Sequence, residues 1–157
     1  MKNQNLELQT KVVECSSRQI PIKMAEQFGL PKDKNVILLK RVRIVNHEIL
    51  CLSISYLVPE IFYWVTLEDM EKESLFDLLE HKYHHTLSSA IQDFEVGYLD
   101  KENAKHLHIS SKDPCLKLSL YAYVDDQLPA QFEETYYLQN KYSYRILLNS
   151  PKNADNF

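Results

Sequence analysis

The chain has 157 residues, 45% hydrophobic and 25% charged, with a formal net charge of −4, the length and balance of one globular domain with its own core. Net acidity excludes unaided nucleic-acid binding, which requires clustered Lys and Arg, and two glycines in the whole chain exclude Walker and GxGxxG phosphate cradles. No run approaches the ~20 apolar residues of a membrane span, and "MKNQNLELQT" has no apolar signal core, so a cytoplasmic protein is expected.

In chain order, "ELQTKVVEC" (7 to 15) reads as a first strand and "IPIKMAEQFGL" as a short helix, with Pro21 near its first turn and Gly29 as its stop. Residues 36 to 46 and 48 to 58, rich in Val, Ile and Leu, form a hairpin joined at "NHE". "IFYWV" (61 to 65) is mostly apolar and is assigned to the core, with pocket wall or dimer surface as alternatives. A helix follows over 74 to 83, with Ser74 as N-cap, Asp77 completing a capping-box pattern, and Leu75, Leu78 and Leu79 on one face.

Residues 87 to 98 form the next strand. "DKENAKHLHI" is a helical turn capped by Asp100, with Ala104 and Leu107 facing inward. "CLKLSLYAYV" alternates as a half-buried antiparallel strand, and "DDQ" turns it back into "LPAQFEETYYLQ". A last strand near 143 to 148 and a polar tail, "NSPKNADNF", close the chain. The pattern is that of a single α+β domain, an antiparallel β-sheet with short helices, its core spanning about residues 7 to 148.

Cys15, Cys51 and Cys115 are an odd set without a CxxC, and read as three buried thiols. "HKYHH" supplies His81, His84 and His85, which lack a recognisable third ligand and second shell, so a solvated helix end is expected and no metal. Asp125 and Asp126 are turn residues. Several of the ten tyrosines alternate over 121 to 144 and line either a pocket or a sheet surface.

"LLKRVRIV" (38 to 45) sets two arginines inside an apolar run. On a strand, positions i and i+2 share a face about 6.6 Å apart, so Arg41 and Arg43 make a two-pronged cation beside Ile37, Leu39 and Val45. Guanidinium forks suit carboxylate or phosphate, and partial burial sharpens that preference. The alternative is structural: both arginines pair with acids of a neighbouring strand, Glu133 and Glu134.

The order of these segments resembles the UTRA domain, the effector-sensing half of GntR-type transcription regulators of the HutC subfamily. The resemblance spans about residues 8 to 148. It rests on "LPKDKNVILLKRVRIVNHEILCLSISYLVPE", "ESLFDLLEHKY" and "AKHLHISSKDPCLKLSLYAYVDDQLPAQFEETYYLQNKYSYRI" taken together. It implies a chorismate lyase-like (UTRA) fold and a pocket for a small, usually anionic effector. Arg41 and Arg43 match the family's anion-holding pair, Ser74 the serine at the helix start, and Tyr137 the tyrosine of the last hairpin. Three positions depart: Phe76 stands where a tyrosine is common, and Ser53 and Gln131 stand where glutamates are expected. Those carboxylates contact polar ligands in sugar-phosphate sensors, so their loss points to a different head group or a smaller ligand.

The resemblance also implies a homodimer, no cofactor, and effector-driven displacement of paired N-terminal winged-helix DNA-binding domains; with the first strand expected soon after Met1, those domains are expected to lie outside this sequence, which is then either an excised piece or a stand-alone sensor. Repression of transcription is the corresponding expectation. An enzymatic alternative follows from the similar fold of chorismate pyruvate-lyase. Ser53 and Gln131 weaken a general-acid proposal for that reaction, and no Ser-His-Asp or Cys-His set is evident in its place.

Overall fold

The computed structural model describes residues 7–72 and 74–150. Strands β1 (Leu8–Gln19), β2 (Asn35–Val45), β3 (Glu48–Leu57), β4 (Leu87–Gly97), β5 (Cys115–Val124) and β6 (Leu128–Tyr137) form one sheet in the order β1-β2-β3-β6-β5-β4. Every neighbouring pair is antiparallel. Helices α1 (Ile22–Phe28), α2 (Pro59–Phe62), α3 (Leu67–Lys72), α4 (Leu75–Asp77) and α5 (Lys101–His106) are all short. This is the expected α+β architecture.

Local chemistry explains the joints. Asn46 and His47 carry φ of 50° and 66°, the left-handed geometry of a two-residue turn whose twist matches its flanking strands. Gly29 ends α1 at φ 65°, donating its N–H to Ala25 O. Ser74 and Asp100 cap α4 and α5 by accepting from Asp77 N and Asn103 N.

Strand alternation divides the interior. Leu38, Val42 and Leu52 form one apolar cluster with Ala104 of α5 and its C-cap Leu107. Leu39, on the arginine-bearing side of β2, belongs to the other cluster, with Phe62, Leu75, Leu78 and Leu79. Helices α2, α3 and α4 and the turn over Leu78–Lys82 therefore roof the arginine side, and α5 covers the reverse.

Several expectations are corrected. β1 continues to Gln19, because β2 offers it partners as far as Asn35. The expected helix over 74 to 83 is α only through Asp77 and becomes a π-helical turn over Leu78–Lys82, which still buries Leu78 and Leu79. "IFYWV" divides: Ile61 and Phe62 are core, while Tyr63 and Trp64 are exposed and pack on each other. Cys15 is exposed, on edge strand β1, and only Cys51 and Cys115 are buried. β5 is not half-buried by alternation, since Cys115 and Ser119 are buried along with Leu118, Ala122 and Val124. No strand forms over 143 to 148. Instead Tyr142 stacks on Tyr137 and Tyr144 packs against Phe94, so the segment crosses the sheet face and leaves Ile146, Leu147 and Leu148 exposed. Residues 151–157 of the expected polar tail lie outside the described residues.

Candidate functional site

The strand register places Arg41 opposite Ser53 and Ser53 opposite Thr135, while Ser55 lies opposite Glu133. Because side chains alternate along strands, one face carries Arg41 and Arg43 on β2, Ser53 and Ser55 on β3, and Gln131, Glu133, Thr135 and Tyr137 on β6. A polar stripe thus crosses three central strands beneath the helical roof.

The two arginines have different surroundings. Arg41 is 2% exposed. Its Nη1 donates to Met70 O at 3.4 Å and its Nη2 lies 3.7 Å from Glu133 Oε1. Burial pushes its pKa down, Glu133 opposes that shift, and the Arg43 charge adds to it. An arginine nonetheless stays charged. Arg43 makes neither an ion pair nor a side-chain hydrogen bond with any described residue, and its Nε, like that of Arg41, is buried without a partner among the described residues. Glu134 points to the opposite face and binds Lys117 at 2.8 Å. The structural alternative therefore holds for Arg41 and fails for Arg43.

Arg43 and Ser53 open onto a cavity of about 100 Å³. Its β6 wall consists of Glu133, Thr135 and Tyr137, and Leu118 and Leu120 of β5 with Gln92 of β4 complete it. Ser53 Oγ and Thr135 Oγ1 are 3.2 Å apart, and Ser55 Oγ donates to Glu133 Oε1 at 2.8 Å. Burial drives Tyr137 up to about 12 and the neighbouring Cys51 thiol up to about 12. The phenol is thus a standing hydrogen-bond donor, and Cys51 is inert as a nucleophile. Larger depressions elsewhere on the surface contain none of the residues singled out by the resemblance.

Of the residues expected at the site, Arg43, Ser53 and Tyr137 line the cavity, and Arg41 adjoins it through Glu133. Gln131 is buried one same-face step along β6 from Glu133, and its Oε1 has no partner. Ser74 and Phe76 are not brought to the cavity: Ser74 Oγ caps α4, and Phe76 packs against the core cluster of Phe62 and Leu78. Gln92 and Thr135 went unnoticed in the sequence, and Glu133 was noticed only as a pairing acid. The alternation of Gln131, Glu133, Thr135 and Tyr137 was the available signal.

Elsewhere, His85 Nδ1 lies 2.6 Å from Asp125 Oδ2, whose other oxygen accepts from Thr86 N, so this pair fastens the β5–β6 turn. Among the described residues no three His, Cys, Asp or Glu side chains gather as a metal-holding group.

The UTRA domain family model matches residues 3–143. The HTH-type transcriptional regulator YydK of Bacillus subtilis is 23% identical over 141 residues, covering 90% of this chain and 59% of YydK. The YydK crystal structure superposes with a TM-score of 0.81 at 21% identity, over 94% of this chain and 64% of that one. The ligand-binding domain of a protein assigned to the GntR family, from Bordetella bronchiseptica, gives 0.80 at 23% identity, covering 91% and 90%. The effector domain of PhnF from Mycobacterium smegmatis gives 0.82 at 17% identity, covering 95% and 91%. At such identities these structures establish the shared fold, and the chain spans under two thirds of YydK.

Proposed function

We propose that this chain, which belongs to the UTRA domain family, is the effector-sensing part of a GntR-type regulator of the HutC kind and binds a small anionic metabolite at Arg43. One observation carries the reading: Arg43, whose guanidinium pairs with no described acid and whose Nε is buried without a partner among the described residues, lines a cavity that also carries hydroxyl groups. An unsatisfied buried donor costs roughly 1–3 kcal/mol, and an anion arriving there removes the cost. The Tyr137 hydroxyl and whichever of Ser53 and Thr135 accepts their mutual hydrogen bond complete a donor set on one side of the ligand, with Arg41 behind them fixing Glu133.

The similar proteins, a transcriptional regulator, a ligand-binding domain and an effector domain, support the same role. In this reading the effector alters how a homodimer holds two winged-helix domains and so releases an operator. The exposed Phe94 and Val96, on one face of edge strand β4, suit a subunit contact. No described helix is long and apolar enough to cross a membrane.

Thermal-shift screening against phosphorylated sugars and small carboxylates tests the proposal, because a ligand that binds only the folded state raises its stability. A stabilising anion whose effect disappears in Arg43→Gln is expected. Release of pyruvate from chorismate by the intact chain would replace this reading with the lyase alternative.

A further inference from the structure

Resting on the anion site proposed above, we infer that Glu133 tunes that site to a small monoanion carrying its own hydrogen-bond donor, such as a hydroxy monocarboxylate, in preference to a dianionic phosphate ester. The cavity has mixed polarity. Arg43 presents an unpaired guanidinium, and Glu133 faces the same space from two strands away. Glu133 Oε1 is held by Ser55 Oγ at 2.8 Å and lies 3.7 Å from Arg41 Nη2, whereas no described residue donates to Oε2. The carboxylate is fixed in position with one oxygen open.

Charge decides between classes of ligand. Two guanidiniums against one carboxylate leave a single positive charge, which a monoanion neutralises and a dianion overshoots. Polarity adds a second requirement. An open carboxylate oxygen inside a cavity favours a ligand that brings a donor to it. Gln131, the next same-face position along β6, does not line the cavity, so Glu133 is the acceptor that β6 offers the ligand. The ligand must therefore bring negative charge to β2 and a hydroxyl or similar donor to β6. Size points the same way: about 100 Å³ is less than the roughly 150 Å³ that admits benzene, which favours a small ion over a sugar phosphate.

Calorimetric titration of the intact chain with racemic lactate, propionate and methyl phosphate at pH 8.5 separates the contributions, since all three are of similar size. The parent should bind lactate about tenfold more tightly than propionate, which lacks the donor, and more tightly than dianionic methyl phosphate. Glu133→Gln should move the lactate-to-phosphate ratio about tenfold toward the dianion. Glu133→Asp keeps the charge but retracts it, and should retain the monoanion preference while narrowing the lactate–propionate gap. If Glu133→Gln does not fold, the parent's order of affinities and Glu133→Asp decide. A parent that prefers methyl phosphate, or unchanged ratios in Glu133→Gln, overturns this inference and leaves the anion site standing. Failure of all three anions to bind the parent overturns this inference, and the anion site falls with it if the thermal-shift screen also finds no stabilising anion.

Discussion

Arg41 and Glu133 meet across β3, with Nη2 and Oε1 3.7 Å apart, and this contact divides the labour between two arginines that look equivalent in sequence. The inner one is a structural counter-ion that holds an acid in place. The outer one, Arg43, is left unpaired beside the cavity.

Removing the inner member should damage the fold. Arg41→Ala strips the partner from a poorly solvated carboxylate and deletes a buried side chain, at a cost of about 3 kcal/mol. Urea unfolding of parent and variant measures it, and a loss below 1 kcal/mol would contradict the pairing.

Ser74→Ala should cost about 1 kcal/mol through loss of the cap on Asp77 N, with anion affinity unchanged, because Ser74 does not line the cavity. Ser74→Asp, another good N-cap, should restore the stability. A marked loss of affinity in Ser74→Ala would place the helix start at the ligand.

Acid should destabilise the protein through β1. Hydrogen bonding from Arg18 holds the Glu14 carboxyl at about 2, against a burial penalty, with Ser16 and Lys40 assisting. A depressed carboxyl pKa stabilises the fold above its ordinary value of 4.5 and loses that contribution as pH falls through the folded value. Melting temperature should therefore drop between about pH 5 and 2, and Glu14→Gln should show a shallower drop. An equal slope in both proteins would remove Glu14 from the account.

Thiol chemistry should distinguish the three cysteines. Cys15 is exposed on an edge strand, while Cys51 is buried with its pKa raised to about 12 and Cys115 is buried with its pKa raised, both by desolvation. One thiol per native chain should react promptly with an aromatic disulfide reagent at pH 8, and three after denaturation. Prompt reaction of two or more native thiols would contradict the burial of Cys51 and Cys115.

Much of the fold was legible because its signals are local. Val, Ile and Leu alternation, the "NHE" turn, Gly29 and the caps Ser74 and Asp100 each act within a few residues. What was not legible depends on long-range partners. Whether 143 to 148 pairs as a strand is settled by Tyr137 and Phe94, which draw Tyr142 and Tyr144 over the sheet face. Cys15 looked like a core thiol until β1 took an edge of the sheet. At the site, i and i+2 spacing placed Arg41 and Arg43 on one face, but only the pairing of β3 with β6 showed that Glu133 reaches one of them and leaves the other.

The most direct test is calorimetric titration of the parent and Arg43→Gln with a stabilising small anion from the thermal-shift screen. Arg43→Gln should melt within a few degrees of the parent and bind the anion at least about a hundredfold more weakly, the loss expected when a charge-assisted contact of roughly 3 kcal/mol is removed. Equal affinity in a folded Arg43→Gln variant would contradict the claim that this guanidinium captures the effector.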